Sequence, residues 1–398
     1  MEGLEKELEQ LSSEEAAEVK SIEQRVGHDV VAATLFLEKK LEERGLAALK
    51  PFIHYGLTSE DVNNIAYGMA IRDFIQTILT PALAKLVEEI ISLAETHAST
   101  PYLARTHGQP AVPTTFGSYL ANYGYRLAKL MEKLKDLRPQ AKLGGAVGDL
   151  SAHKTTYPHV DWFSFAEKFV QQMGLEYTPA ATQVVPHERF SEILQTTAVI
   201  ASVAANLCRD FWLLGALGLV EFGKPYEQRH SSTMPQKRNP LLFENAEGCL
   251  DLASNILSYM ATRLLSSRLH RDLSDSIIKR FYGTALALTL LGVKNLTQAI
   301  SQTQIKADKM REEVEKTSEA SAEILQLVLR KHGVEDGYSL AAQAVERGLG
   351  WLRETLSERG IDPKIVEEAA VARYVEAGFE KMVMLVERVR ELVRRLTV

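Results

Sequence analysis

The sequence predicts an all-α fold with a long central helical bundle, and three observations carry that reading. Apolar residues recur in steps of three and four over long stretches, no run alternates with the period of a strand, and 45% hydrophobic against 25% charged residues is the ordinary globular balance. Helices this long, several in one domain, can bury their stripes only against one another. The result is an elongated bundle with coiled-coil-like packing and no parallel sheet.

The elements follow in chain order. Residues up to about Tyr67 hold short helices, and Ser12-Ser13-Glu14-Glu15 fits a capping box with Ser12 as cap and Glu15 at N3. From Ile75 one stripe runs through Ile78, Leu79, Leu83, Leu86, Val87, Ile90 and Ile91, with Pro81 marking a restart or kink. A second runs through Phe116, Tyr119, Leu120, Tyr123, Leu127, Leu130, Met131 and Leu134, with Pro139 beyond. Further long segments cover Phe190 to Val220, Pro240 toward Leu265, and roughly Asp275 to Ile300. Shorter amphipathic helices follow Ile305, the last with Phe379, Met382, Val383, Val386, Val389, Val393 and Leu396 on one side. The chain divides into a small N-terminal helical domain (1–67), the central bundle (68–304) and a C-terminal helical domain (305–398). That agrees with a soft prior of roughly 150 residues per domain.

Composition narrows the function. Lys plus Arg is 46 and Asp plus Glu is 52, a net charge of -6, so the surface is poorly suited to neutralising nucleic-acid phosphates. Cys208 and Cys249 are the two cysteines, each in an apolar helical stretch, which fits buried thiols in a reducing compartment and excludes a disulfide framework. The longest apolar run, Phe211 to Val220, falls short of the roughly 20 residues a bilayer requires. The acidic start Met1-Glu2-Gly3-Leu4-Glu5-Lys6-Glu7 is wrong for a targeting peptide. A cytoplasmic protein with neither a membrane nor a nucleic-acid partner is expected.

Several segments break the helical pattern. The sharpest is Ser231-Ser232-Thr233-Met234-Pro235-Gln236-Lys237-Arg238-Asn239-Pro240, a loop opening into a helix that Asn239 can cap and Pro240 can start. It is either a solvated interhelical loop or a place where Lys237 and backbone N–H groups stabilise an alkoxide or a developing anion. In Arg105-Thr106-His107-Gly108-Gln109-Pro110-Ala111-Val112-Pro113-Thr114-Thr115, His107 sits in a Pro-rich loop before a helix that Thr114 or Thr115 caps. A histidine there is a proton donor near neutral pH or simply solvated. His28-Asp29 follows a glycine, and His54-Tyr55-Gly56-Leu57-Thr58-Ser59-Glu60-Asp61 precedes a helix whose first hydroxyls either cap it or bind an anion. Arg263, Arg268, Arg271, Lys279 and Arg280 concentrate positive charge around Ser274 and Ser276, with Ser276 and Arg280 spaced to share a helix face. That patch suits a small anion or a solvated face. Leu143-Gly144-Gly145-Ala146-Val147-Gly148 has the spacing of neither a P-loop nor a dinucleotide fold and reads as a tight turn with close helix packing. The ten histidines show no metal-binding spacing, so no catalytic metal is expected.

Together these segments resemble the fumarase/aspartase superfamily, in its adenylosuccinate lyase family. The superfamily's signature loop is matched by Ser231 to Asn239. The Thr106-to-Pro110 and His54-to-Asp61 segments, Thr182-Gln183, and Arg271 to Ser276 match the narrower family, in its order along nearly the whole chain. The resemblance implies a three-domain, mostly helical subunit and a homotetramer whose composite sites draw loops from three subunits. It implies β-elimination of fumarate from adenylosuccinate to give AMP, and from the succinylated aminoimidazole carboxamide ribotide of purine biosynthesis, with no cofactor. It makes Ser231 the base, His107 the acid and Glu244 the carboxylate paired with that histidine. Lys237 and Asn239 would hold the succinyl carboxylates, and His28, Asp29, His54, Thr58, Ser59, Thr106 and Gln183 would line the pocket. Arg271, Ser276 and Arg280 would contact the phosphate, while Ser232 and Asn245 are included because they flank these positions. Three departures stand out. Family members usually carry a further N-terminal segment with a phosphate-contacting Arg-Tyr pair. His230 replaces the glycine before Ser231, which alters loop freedom, and Gln236 replaces a histidine. Met-Pro-Gln-Lys is common in argininosuccinate lyase, which is the alternative chemistry; a catalytically silent helical assembly on the same scaffold is the other.

Overall fold

The structure is a computed structural model describing residues 11–223, 234 and 236–397. In chain order its helices are α1 (Ser13–Val26), α2 (Asp29–Glu43), α3 (Ser59–Asp73), α4 (Thr80–Thr96), α5 (Phe116–Asp136), α6 (Ser151–Thr156), α7 (Trp162–Gln172) and α8 (Glu188–Ala216). There follow α9 (Leu241–Arg263), α10 (Ser274–Lys279), α11 (Tyr282–Ser301), α12 (Ala307–Lys316), α13 (Ala322–Lys331), α14 (Gly337–Glu358) and α15 (Ala372–Thr397). The strands are an antiparallel hairpin, β1 (Pro101–Thr106) with β2 (Gln109–Thr115), and short pieces paired with one another across long loops. The fold is all-α, as the periodicity requires.

The local chemistry follows the sequence closely. Ser12 caps α1 in a reciprocal box with Glu15, its own N–H donating to Oε2 at 2.9 Å and its Oγ accepting from Glu15 N at 3.2 Å. Pro81 sits in the first turn of α4. The preceding residues, 74–79, wind as a π-helix, so the phase of the apolar stripe turns there. Ile75 and Leu79 are buried, but Ile78 is 45% exposed. The predicted helix from Asp275 to Ile300 breaks at residues 280–281 into α10 and α11. On α15 the buried stripe is Met382, Leu385, Val386, Val389, Leu392 and Leu396, leaving Phe379 and Val383 at the surface.

The chain forms two compact units, each threaded from several segments. Unit 1 takes the described residues of Met1–Phe74, Arg138–Ser191 and Thr262–Ser276; unit 2 takes those of Ile75–Leu137, Glu192–Ala261 and Ile277–Val398. In unit 1, Ile65, Ala141, Leu143, Leu150, Ala166, Val170 and Leu175 form one core, flanked by Leu57, Trp162 and Tyr177. In unit 2, α4 packs on α5, and both pack on α15. Leu83, Leu86, Ile90, Leu120 and Leu127 are fully buried. A second apolar cluster joins α13 and α14 through Leu325, Leu329, Leu340, Leu352 and Leu356. Glu188–Ala216 and the stretch Ser274–Ser301 are long and apolar enough to cross a membrane, beyond what the longest uninterrupted apolar run suggests. Core helices of a bundle meet the same description.

Candidate active site

His107 occupies a position that the sequence reading did not foresee. It lies in a tight hairpin turn, and not in an irregular loop before a helix. Thr106 pairs with Gln109 across β1 and β2, leaving His107 and Gly108 as the two central turn residues. Their φ values are +55° and +75°, both in the left-handed region, as a type I′ turn requires. Thr106, His107, Gly108, Gln109 and Pro110 are all exposed, so a narrow stem presents the imidazole at its tip. The stem runs directly into α5, where Thr115 caps the helix by accepting from Ser118 N at 3.0 Å. Pro110 and Pro113, read from sequence as loop markers, both sit in β2.

Elsewhere in unit 2, Ser231 and Ser232 lie outside the described residues, as does His230. Beyond them Lys237 is exposed, and Arg238 pairs with Glu221, which also pairs with Lys306. Those two cations hold the Glu221 carboxyl below its usual value, Lys306 the more strongly. This ties the end of the loop to the strand Val220–Glu221. Asn239 and Asn245 help line a cavity of about 480 Å³, with Phe222, Phe243, Gln298 and Gln302. His107 is not among the residues lining it. Glu244 is exposed and accepts a hydrogen bond from the Trp212 indole at 3.3 Å, so its described partner within one chain is Trp212. Arg280 is exposed just past the end of α10.

Unit 1 gathers a second set. Thr58 caps α3, its N–H donating to Asp61 Oδ2 at 2.9 Å, and Ser59 begins the helix. Glu60, 3% exposed, holds Arg271 Nη1 at 3.0 Å, which places the first turn of α3 beside the Arg271-to-Ser276 segment. Thr182 Oγ1 donates to His270 O at 2.9 Å, and Gln183 Nε2 to Ala146 O at 3.0 Å. Thr58, Ser59, Gln183 and Arg271 are thereby tied to one neighbourhood around the glycine turn at 144–148. Ser276 Oγ donates to Leu273 O at 2.9 Å. His54, half-buried, takes the left-handed backbone at φ +56°. His28 caps α2, its Nδ1 accepting from Val31 N at 3.5 Å and lying 3.1 Å from Asp29. Both residues are exposed. Helix capping is what the structure shows His28 doing.

The support beneath this set was missed in the sequence. Asp61 is fully buried and pairs with Lys142, 1% exposed, at 2.7 Å. It also accepts from Gly144 N at 2.8 Å and Gly145 N at 3.0 Å. Asn64 bridges to the Lys142 backbone, donating to its carbonyl at 3.1 Å and accepting from its N–H at 2.8 Å. Burial pushes the Lys142 ammonium below its usual value against the pull of Asp61. Gly148 is a second constraint: a Cβ there would lie 2.3 Å from the Ala181 carbonyl oxygen, beside Gln183. The glycine turn is therefore an N–H cradle for a buried carboxylate. In the sequence the available signal was Ser-Glu-Asp opening a helix together with a lysine before a glycine run.

Two family models match the chain in succession: a lyase model over residues 1–253 and the model for the adenylosuccinate lyase C-terminal region over residues 267–395. The chain belongs to the lyase family of the fumarase/aspartase superfamily. Among its relatives are proteins named adenylosuccinate lyase. That of Escherichia coli K12 is 36% identical over 328 residues, 82% of this chain and 72% of the relative. That of Haemophilus influenzae is 36% identical over 325 residues, 81% and 71% of the two chains. Solved structures share the fold. The 3-carboxy-cis,cis-muconate lactonizing enzyme of Pseudomonas putida superposes with a TM-score of 0.75 at 23% identity, covering 98% of this chain and 87% of the other. A fumarate lyase of Mesorhizobium sp. BNC1 gives 0.70 at 17%, covering 98% and 86%.

Proposed function

We propose that this chain is an adenylosuccinate lyase, releasing fumarate from adenylosuccinate to leave AMP, and likewise from the succinylated aminoimidazole carboxamide ribotide of purine biosynthesis. β-Elimination needs a base for the Cβ proton, an acid for the departing nitrogen and donors for the carboxylate that accumulates charge. Ser231 takes the Cβ proton, the C–H electrons form the new double bond, the C–N bond breaks, and His107 protonates the nitrogen. Lys237 and Asn239 hold the succinyl carboxylates, and Glu244 pairs with the imidazole. Thr58, Ser59, Gln183, Arg271, Ser276 and Arg280 receive the ribotide and its phosphate, with His28, Asp29, His54 and Thr106 on the walls. No cofactor takes part.

The observation that carries the reading is the hairpin tip. Left-handed backbone at a non-glycine residue costs roughly 1–3 kcal/mol and clusters at sites where geometry serves chemistry. Here it places an exposed histidine at the tip of the hairpin. An exposed tip needs a second surface to exclude water from the reacting bond. A homotetramer with sites shared between subunits supplies one. Supporting it, Val199, Trp212 and Leu213 on α8, Leu252 and Tyr259 on α9 and Leu291 on α11 are each 45–59% exposed, large apolar side chains on the outer faces of long helices. We place the enzyme in the cytoplasm, with neither nucleic acid nor membrane as partner.

The test is fumarate release from adenylosuccinate, followed by ultraviolet absorbance. Ser231→Ala and His107→Ala should each lower kcat by roughly 10²–10⁴-fold with helicity unchanged. Wild-type turnover in both rejects the roles. Cleavage of argininosuccinate in place of adenylosuccinate moves the chain to the alternative chemistry suggested by Gln236, and absence of both activities together with no AMP binding leaves a silent scaffold.

A further inference from the structure

The hairpin that carries His107 is tied from one side to α12. Arg105, two residues before the histidine, turns both terminal guanidinium nitrogens toward the Glu313 carboxylate: Nη1 lies 3.4 Å from Oε2, and Nη2 meets Oε1. The side chains are 18% and 26% exposed, so water screens this pair less than it screens an ordinary surface pair. Below it Leu103, Val314 and Ala320 form a small buried core that docks the strand on the helix independently of the charges.

The strand ladder does not fix the tip by itself. Its register shifts between Leu103 and Arg105, a bulge that re-aims the far end of the strand. Beyond the bulge only Arg105↔Pro110 and Thr106↔Gln109 remain paired, and Pro110 has no N–H to donate. The turn that these few contacts must hold contains a histidine at φ +55°. A disfavoured backbone persists only where its surroundings over-determine it. The Arg105–Glu313 pair is the side-chain tie nearest the tip, among the described residues, that can do so.

We propose that Glu313 is a positioning residue for the elimination: through Arg105 it fixes the hairpin tip, and with it the direction from which the His107 imidazole reaches the departing nitrogen. The inference rests on the lyase reading above. The C-terminal helical region thus acts on the chemistry without touching substrate.

Glu313→Gln keeps the volume and removes the charge; the swap Arg105→Glu with Glu313→Arg restores an ion pair of opposite polarity. For both, kcat and KM for adenylosuccinate are measured together with amide hydrogen exchange of peptides spanning 101–115. Glu313→Gln should lower kcat about tenfold, since a small misplacement of a catalytic group is costly. KM should stay within about twofold, because the ground state is not touched. Exchange should quicken over 105–110, and the swap should recover most of kcat. An active wild type with kcat unchanged in Glu313→Gln overturns the inference. So does a lower kcat with hairpin exchange unaltered, a rise in KM alone, or global unfolding of both variants, which would mark a role in the fold and not in positioning. A wild type that releases no fumarate overturns the lyase reading first and this inference with it, and is told apart because the defect lies in the unmodified chain.

Discussion

Neutralising Asp61 should destabilise unit 1 more than any surface change. Its carboxylate is 0% exposed, receives the N–H groups of Thr58, Gly144 and Gly145, and pairs with Lys142 at 2.7 Å. Asp61→Asn keeps the shape and one acceptor oxygen but strips the charge. Lys142 is left with neutral acceptors only: the oxygen retained at position 61 and the Gly145 carbonyl at 3.2 Å. The lysine can stay charged and unpaired, or shed its proton. Shedding it at pH 7 costs about 1.36 kcal/mol per unit from its ordinary 10.5, so ~5 kcal/mol caps the electrostatic loss. Removing one partner of a buried pair costs about 3–5 kcal/mol by experience, and the two figures agree. Taking the cation away as well, as Asp61→Asn with Lys142→Met, should recover roughly half of that loss. The pH sign follows from the direction of the shift. A lysine whose folded pKa is lowered binds fewer protons folded than unfolded, so stability rises with pH from its folded value up to 10.5. The rise should begin at lower pH in Asp61→Asn than in the wild type. Amide hydrogen exchange over 56–66 and 138–150 reads the local free energy in a chain of two units, where one melting temperature is not well defined. A loss below about 1 kcal/mol, or a double variant no better than the single one, refutes the reasoning.

Two further changes test the turns and caps. Gly56→Ala should cost roughly 2 kcal/mol or more, because φ is +65° and the new Cβ would lie 2.6 Å from Cε1 of His153, itself packed 4.7 Å from Trp162. Amide hydrogen exchange over 54–66 and 150–162 would show it, and exchange unchanged from the wild type refutes the reasoning. Thr115→Ala should cost about 1–2 kcal/mol by removing a fully buried cap from Ser118 N, and Thr115→Ser should restore most of it in denaturant titration.

The helices were legible because a repeat of three and four residues is a local property, and Leu83, Leu86, Leu120 and Leu127 occupy the interior that the period assigns them. The stripe failed at Ile78, where the π-turn of 74–79 changes the phase. The hairpin around His107 was hidden because prolines inside a strand read as breakers, while its turn signal, His-Gly with both φ positive, is weaker than Asn-Gly or Asp-Gly. The buried network was hidden for a different reason. Asn64 and Lys142 stand 78 residues apart, and a local pattern cannot tell a solvated charge from one that a distant charge keeps buried.

The division between the visible and the hidden parts has a physical cause. A chain made of helices points side chains along regular stripes, so a group aimed elsewhere needs a turn that the backbone resists. His54 and His107 are such groups, two of the four non-glycine residues with positive φ among those described. Both stand out in the sequence, because the glycines and threonines around them mark the interruption. The holding of such turns cannot be local, since the local sequence is what disfavours them. The supports accordingly come from far along the chain: His153 under Gly56, Asp61 beneath the 144–145 turn, and Glu313 behind Arg105. Motifs mark where the helical pattern is interrupted, and only the tertiary structure names the residues that hold the interruption in place.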